Sequence, residues 1–128
     1  MPGFSLIVLG GLVATDGNSM DGLFTIENAK RFNFDAFFLS CAGFDEDGIT
    51  NRSPLGSEIR RTLLNNAKQR ILLADSTKYG KKDFIKLLDW SDFDILITDN
   101  ELSQSSLKKL QKAAPNLEII LADSHPSK

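Results

Sequence analysis

Across 128 residues this sequence carries one cysteine, one histidine, one tryptophan and one tyrosine, and each scarcity excludes a chemistry. Cys41 on its own rules out an internal disulfide and fits a reducing compartment. His125, the lone histidine, lies near the C-terminus, so a Ser-His-Asp or Cys-His mechanism lacks a well-placed base. No cluster of histidine and cysteine has metal-ligand spacing, and neither a metal nor another cofactor is expected. Charge of either sign is not in excess. With 15 Lys and Arg against 17 Asp and Glu, the net charge is -2, which argues against a general electrostatic grip on nucleic acid. Long apolar runs are absent too. The longest, such as Leu6–Leu9 and Ile71–Ala74, are far too short to cross a bilayer. A basic stretch leading into an apolar signal segment is not seen, so no membrane partner is expected and the cytoplasm is the expected location.

What remains is the composition of a globular protein, 41% hydrophobic and 25% charged, at a length suited to one domain with one core. Short apolar runs recur at Phe4–Leu9, Ala36–Leu39, Ile71–Ala74, Ile95–Ile97 and Leu117–Leu121. Each is rich in Ile, Leu, Val or Phe, as suits strands buried on both faces of a parallel sheet. Helical spacing appears between them. Leu23, Ile26 and Ala29 form one stripe; Leu55, Ile59, Leu63, Leu64 and Ala67 form a stronger one; Leu107, Leu110 and Ala114 form a third, stopped by Pro115. Phe84–Trp90 reads as a further short strand. This alternation predicts an α/β fold with a doubly wound, mostly parallel sheet over residues 1–122, followed by a frayed tail at 123–128. Trp90 and the nine phenylalanines are expected in the core.

Polar chemistry gathers where the runs end. Ile71–Ala74 stops abruptly at Asp75, Ser76, Thr77 and Lys78, which places a carboxylate, two hydroxyls and an ammonium beyond a strand. Ligands of open α/β sheets bind at that end. The alternative is that Asp75 caps a turn and Lys78 is simply solvated. The segment Gly43–Asn51 holds Gly43, Asp45, Glu46, Asp47, Gly48, Thr50 and Asn51. It reads equally as a ligand loop or as an acidic surface turn with an Asp-Gly signal. Thr98-Asp99-Asn100 ends another run, and there Asp99 or Asn100 is expected to cap the following helix. Gly10-Gly11 has neither dinucleotide nor P-loop spacing. Cys41 is expected to be a small buried hydrophobe.

Taken in order, Leu9-Gly10-Gly11, Gly22, Phe34-Asp35-Ala36-Phe37-Phe38, Gly43-Phe44-Asp45, Gly48-Ile49-Thr50, Ile71–Gly80 and Asp94–Asp99 resemble the sugar-sensing domain of DeoR-type transcriptional regulators. The resemblance runs from about Val8 to Ile120. It implies a fold similar to ribose-5-phosphate isomerase and glucosamine-6-phosphate deaminase, a phosphorylated sugar or related metabolite as effector, and a homo-oligomer. Carried over by position, Gly43, Asp45, Gly48, Thr50, Asp75 and Lys78 would line the effector site, with Lys78 as the phosphate or hydroxyl partner. Two departures stand out. Gly56 falls where the family usually has a glutamate, with Arg60 where a lysine is common. The helix-turn-helix domain and the Gly-Thr-rich phosphate segment of such regulators have no counterpart in these residues, so no direct DNA binding is expected. The competing readings are an isomerase-like enzyme using Asp45, Asp75 and Lys78, and an assembly domain with an empty site.

Overall fold

The computed structural model describes residues 3–124. A two-residue ladder, β1 (Leu12–Val13) with β2 (Met20–Asp21), leads into helix α1 (Leu23–Ala29). There follow β3 (Phe34–Leu39), the hairpin of β4 (Gly43–Asp45) and β5 (Gly48–Asn51), α2 (Pro54–Asn65) and β6 (Ala67–Leu73). The chain continues through β7 (Ile85–Leu88), β8 (Ile95–Asp99), α3 (Gln104–Ala113) and β9 (Glu118–Ala122). The main sheet has the order β3-β6-β8-β9 with every pairing parallel. A second, antiparallel sheet has the order β4-β5-β7. The expected α/β architecture with a mostly parallel sheet is therefore what forms.

Local chemistry explains the helix bounds. Ser53 precedes Pro54, its hydroxyl oxygen accepts from the Gly56 N–H at 3.1 Å, and Pro54 occupies the first turn where no donor is needed. Ser103 caps α3 in the same way, accepting from the Ser106 N–H at 3.1 Å. The expected caps Asp99 and Asn100 are thus corrected to Ser103: Asp99 is still the last residue of β8, and its carboxylate serves another turn. Ala67, expected on α2, instead opens β6, because the chain leaves the helix at Asn66 and the Phe34 N–H donates to the Asn66 carbonyl at 2.9 Å.

The core runs through the main sheet. Leu39 pairs with Leu72 and Leu72 with Leu96 across three neighbouring strands. All three are buried in one cluster with Leu64 of α2 and Leu110 of α3. Each such leucine contributes about 1.5–3 kcal/mol by leaving water. The same cluster takes in Phe44, Ile49, Leu87 and Trp90 from the small sheet and its connections. Phe44 meets the rings of Tyr79 at 5.7 Å and Trp90 at 6.2 Å, both edge to face, the arrangement ring quadrupoles prefer.

Phe4–Leu9, expected as a strand, has no regular structure. Ile7 and Leu9 line a cavity with Phe34 and Phe37 of β3, but among the described residues no strand pairs with the segment, and without a ladder it is not held as a strand. It is tied at its end, where the Asn28 side-chain amide donates to the Leu9 carbonyl and the Thr25 hydroxyl to the Gly10 carbonyl, both at 2.6 Å. Phe4 and Leu6 stay 63% and 78% exposed. The expectation that every phenylalanine is core is corrected as well, since Phe4, Phe24, Phe38 and Phe84 are exposed. Phe84–Trp90 does contain a strand, β7, but it joins the small antiparallel sheet. The frayed tail falls mostly on residues 125–128, outside the described residues; Asp123 and Ser124 hydrogen-bond to Asn100.

Candidate functional site

A cleft of about 330 Å3 opens beyond the C-terminal ends of the parallel strands. Its wall includes Ser40 after β3, Asp75 and Lys78 after β6, Thr98 and Asp99 at the end of β8, and Ala122 at the end of β9. The topology places them there: all four strands run the same way, so their C-terminal ends share one rim. Asp75 sets the geometry of the turn. Its carboxylate accepts from the Thr77 N–H at 3.0 Å and from the Thr77 hydroxyl, capping a single 3-10 turn at Ser76–Lys78. Asp99 holds that turn against β8, its carboxylate accepting from the Ser76 N–H at 2.7 Å and the Glu101 N–H at 3.0 Å. These N–H donors keep the Asp99 carboxyl below its ordinary value. Lys78 emerges half-buried, its ammonium donating to the Ser40 hydroxyl at 3.2 Å and making no ion pair among the described residues.

Two further features mark this rim. Thr98 is 3% exposed, and its hydroxyl has no hydrogen-bond partner among the described residues. Cys41 lies buried nearby; burial pushes its thiol up to about 11, against the opposing pull of the Lys78 and Arg60 charges. A thiol so raised is a packing group, not a nucleophile.

The remaining candidates, Gly43, Asp45, Gly48 and Thr50, lie on the hairpin, and their groups are engaged in building it. A Cβ at Gly43 would sit 2.1 Å from the Lys81 carbonyl oxygen, and one at Gly48 2.3 Å from that of Leu88. Both glycines therefore permit close approach of backbone to backbone. Gly48 also holds φ at 123° to close the turn. Asp45 accepts from the Asp47 N–H at 2.8 Å, and Lys82 bridges Asp45 at 3.5 Å and Asp47 at 2.9 Å. That bridge raises Lys82 and lowers Asp47 from their ordinary values, the hydrogen bond between them being the main cause. Thr50 accepts from the Asp83 N–H at 2.9 Å. Glu46 takes the Tyr79 hydroxyl as donor, which lowers its carboxyl. Asp45, Gly48 and Thr50 line a groove of about 330 Å3 with Lys82, Asp83 and Phe84. Asp75 and Lys78 belong to the strand-end cleft instead, so the six candidates do not form one wall. Asp45 and Asp75, which an isomerase-like reading would pair, share neither cleft.

Against known proteins, residues 1–100 match the family model described as DeoR C terminal sensor domain. The chain belongs to that family. Among relatives of this DeoR-type domain are the HTH-type transcriptional regulator GolR of Listeria innocua, 29% identical over 92% of this chain and 47% of the relative, and the HTH-type transcriptional repressor GlcR of Bacillus subtilis, 27% identical over 94% and 47%. A putative aga operon transcriptional repressor of Escherichia coli O157:H7 is 27% identical over 93% and 44%. The chain spans about half the length of these curated relatives. Within the DeoR-type frame, the departure at Gly56 has a visible consequence: a Cβ there would meet the Arg60 guanidinium at 2.8 Å, so Arg60 fills the space a larger side chain would take. Sequence reasoning missed Ser40 as a member of the rim, while Thr98 was placed there with Asp99 at the end of its apolar run.

Proposed function

We propose that the chain is the effector-sensing part of a DeoR-type regulator, binding a phosphorylated sugar or related metabolite in the strand-end cleft without transforming it. One observation carries the reading: a half-buried lysine without a carboxylate ion pair lines the cleft together with the Ser40 hydroxyl, to which it donates at 3.2 Å. Such a pair suits an anion that also bears hydroxyls. In this reading Lys78 meets the anion as a mobile point charge, Asp75 positions the turn that carries it, and Gly43, Asp45, Gly48 and Thr50 form the flank whose rigidity holds the rim. The site works in the cytoplasm, needs no cofactor, and passes its signal to a separate DNA-binding domain. This chain alone does not hold operator DNA. Thermal denaturation with a panel of sugar phosphates tests the proposal, because stabilisation follows ligand concentration relative to affinity. No shift with any of them would sink it, and sequence-specific retardation of a duplex by this chain would refute the DNA clause.

We also propose that the chain self-associates. Support comes from β3, which pairs only with β6 among the described residues, and from exposed apolar side chains near that edge and N-terminal to it, including Phe38, Ile7 and Val8. Uncovered apolar strand edges invite pairing with a second copy. A monomeric mass by light scattering at micromolar concentration would reject this.

A further inference from the structure

We infer that the face of the main sheet that carries no helix is where two copies of this chain join. The inference rests on the self-association proposed above and assigns its surface. The strands β3-β6-β8-β9 succeed one another in chain order and all run parallel. Right-handed connections between such strands lie on one side of the sheet, and the core shows which. The row Leu39-Leu72-Leu96-Ile119 packs with Leu64 of α2 and Leu110 of α3, while α1 packs on α2. Side chains alternate along a strand, so the rows Phe38-Ile71-Ile95-Glu118 and Leu73-Ile97-Ile120 face away from those helices. None of their members joins the core cluster. Phe38 is 57% exposed, Leu73 and Ile120 are exposed, and Ile95 and Ile97 are half-buried, so that only the central Ile71 is buried. A parallel sheet is stable with both faces covered.

Area and charge point to a second copy as the occupant. The molecule exposes 8432 Å2, whereas a folded monomer of 14.1 kDa exposes roughly 6,700 Å2. The surplus of about 1,700 Å2 is in the range that each subunit of an obligate homodimer gives up. The exposed segment Phe4–Leu9 and the open face both contribute to it. Self-pairing also meets little repulsion, since the two rows carry a single charge, Glu118, and the net charge of the chain is only -2. A two-fold axis along the strands sets β6 of one copy over β8 of the other, with the sheets about 10 Å apart. Leu73 then meets Ile97, Ile71 meets Ile95, and Glu118 falls at the solvated margin. Leu73 and Ile97 also line the strand-end cleft, so the copies join beside the proposed effector site.

The test compares the full chain with Leu73→Lys, Ile120→Lys and the control Phe84→Lys by sedimentation velocity over a dilution series, with circular dichroism checking that each is folded. The wild type is expected to sediment as a dimer at micromolar concentration. Each face variant should raise the dimer dissociation constant on the order of a hundredfold or more, because a symmetric interface buries two copies of the new charge. Phe84→Lys, at an exposed position beside β7, should leave it unchanged. Hydroxyl-radical footprinting of the wild type needs no substitution. Phe38, Leu73 and Ile120 should label less in the dimer than after dilution to monomer, and Phe84 equally in both. A dimer that both face variants leave intact, equal dissociation by Phe84→Lys, or footprints that do not change on dilution overturns this inference while self-association stands. A wild type that stays monomeric overturns both and leaves the face to a different chain.

Discussion

The strand-end cleft and the β4–β5 hairpin carry similar residue types, yet they use them in opposite ways. On the hairpin, Asp45 and Asp47 are bridged by Lys82, Thr50 is engaged by Asp83, and both glycines are pressed against backbone carbonyls. In the cleft, Lys78 makes no ion pair among the described residues and the Thr98 hydroxyl has no partner there. A polar residue whose hydrogen-bonding capacity is already filled builds the fold, and an accessible charge left unpaired in a cleft, as at Lys78, is available to a ligand.

The contrast can be broken most forcefully at Gly48. Gly48→Ala places a Cβ against the Leu88 carbonyl in a positive-φ position, and overpacking plus backbone strain should cost about 4 kcal/mol. Gly17→Ala is the control: its φ is also positive, but nothing lies within 4 Å of the added atom, so about 1 kcal/mol is expected. Denaturant titration at constant m-value reads both, and equal losses would contradict the close approach. Trp90→Phe is next. It removes the donation from the indole N–H to the Asp45 carbonyl at 2.7 Å, and the unfolding free energy should fall by about 1–2 kcal/mol. Lys78→Met should move stability by no more than about 0.5 kcal/mol while abolishing ligand-induced stabilisation. A large loss of stability in that variant would place Lys78 with the hairpin residues.

Acid gives the gentlest test. Asp47, Asp83 and Asp99 all lie below the ordinary aspartate value of 3.8 because N–H donors or cations favour the charged carboxylate. Depressed carboxylates bind fewer protons than in the unfolded chain. Their stabilisation is therefore complete above that ordinary value and is lost as pH falls through the depressed ones. Asp99→Asn should flatten part of the acid limb of the melting temperature against pH, and should do so with the Ser76 turn loosened. An unchanged acid limb would show that the turn is held by other contacts.

Much of the fold was legible because it depends on local pattern. The runs at Ile71–Ala74 and Ile95–Ile97 and the leucine stripe of α2 have the periods of a buried strand and an amphipathic helix, whatever surrounds them. Phe4–Leu9 has the same strand-like composition and forms none, since a strand exists only with a partner to complete its ladder. Gly48–Asn51 shows the converse: it reads as a polar loop and is a strand, because β4 and β7 flank it on either side. Asp75 and Lys78 were legible as a pair through their place at a strand end. Ser40 was not, as a single hydroxyl between Leu39 and Cys41 carries no motif.

By itself, then, the sequence determined the class of the fold, the strands and helices with strong periodicity, the rim after β6 and the DeoR-type kinship, because each is encoded in neighbouring residues or in their order. Tertiary structure alone decided that the glycine- and acid-rich stretch would be a packed hairpin, and that Ser40, Lys78 and Thr98 would meet around one cleft. Those outcomes depend on which strands lie side by side and on whether a polar group finds its partner inside the protein. Both are settled by contacts between residues distant along the chain, which no local pattern records.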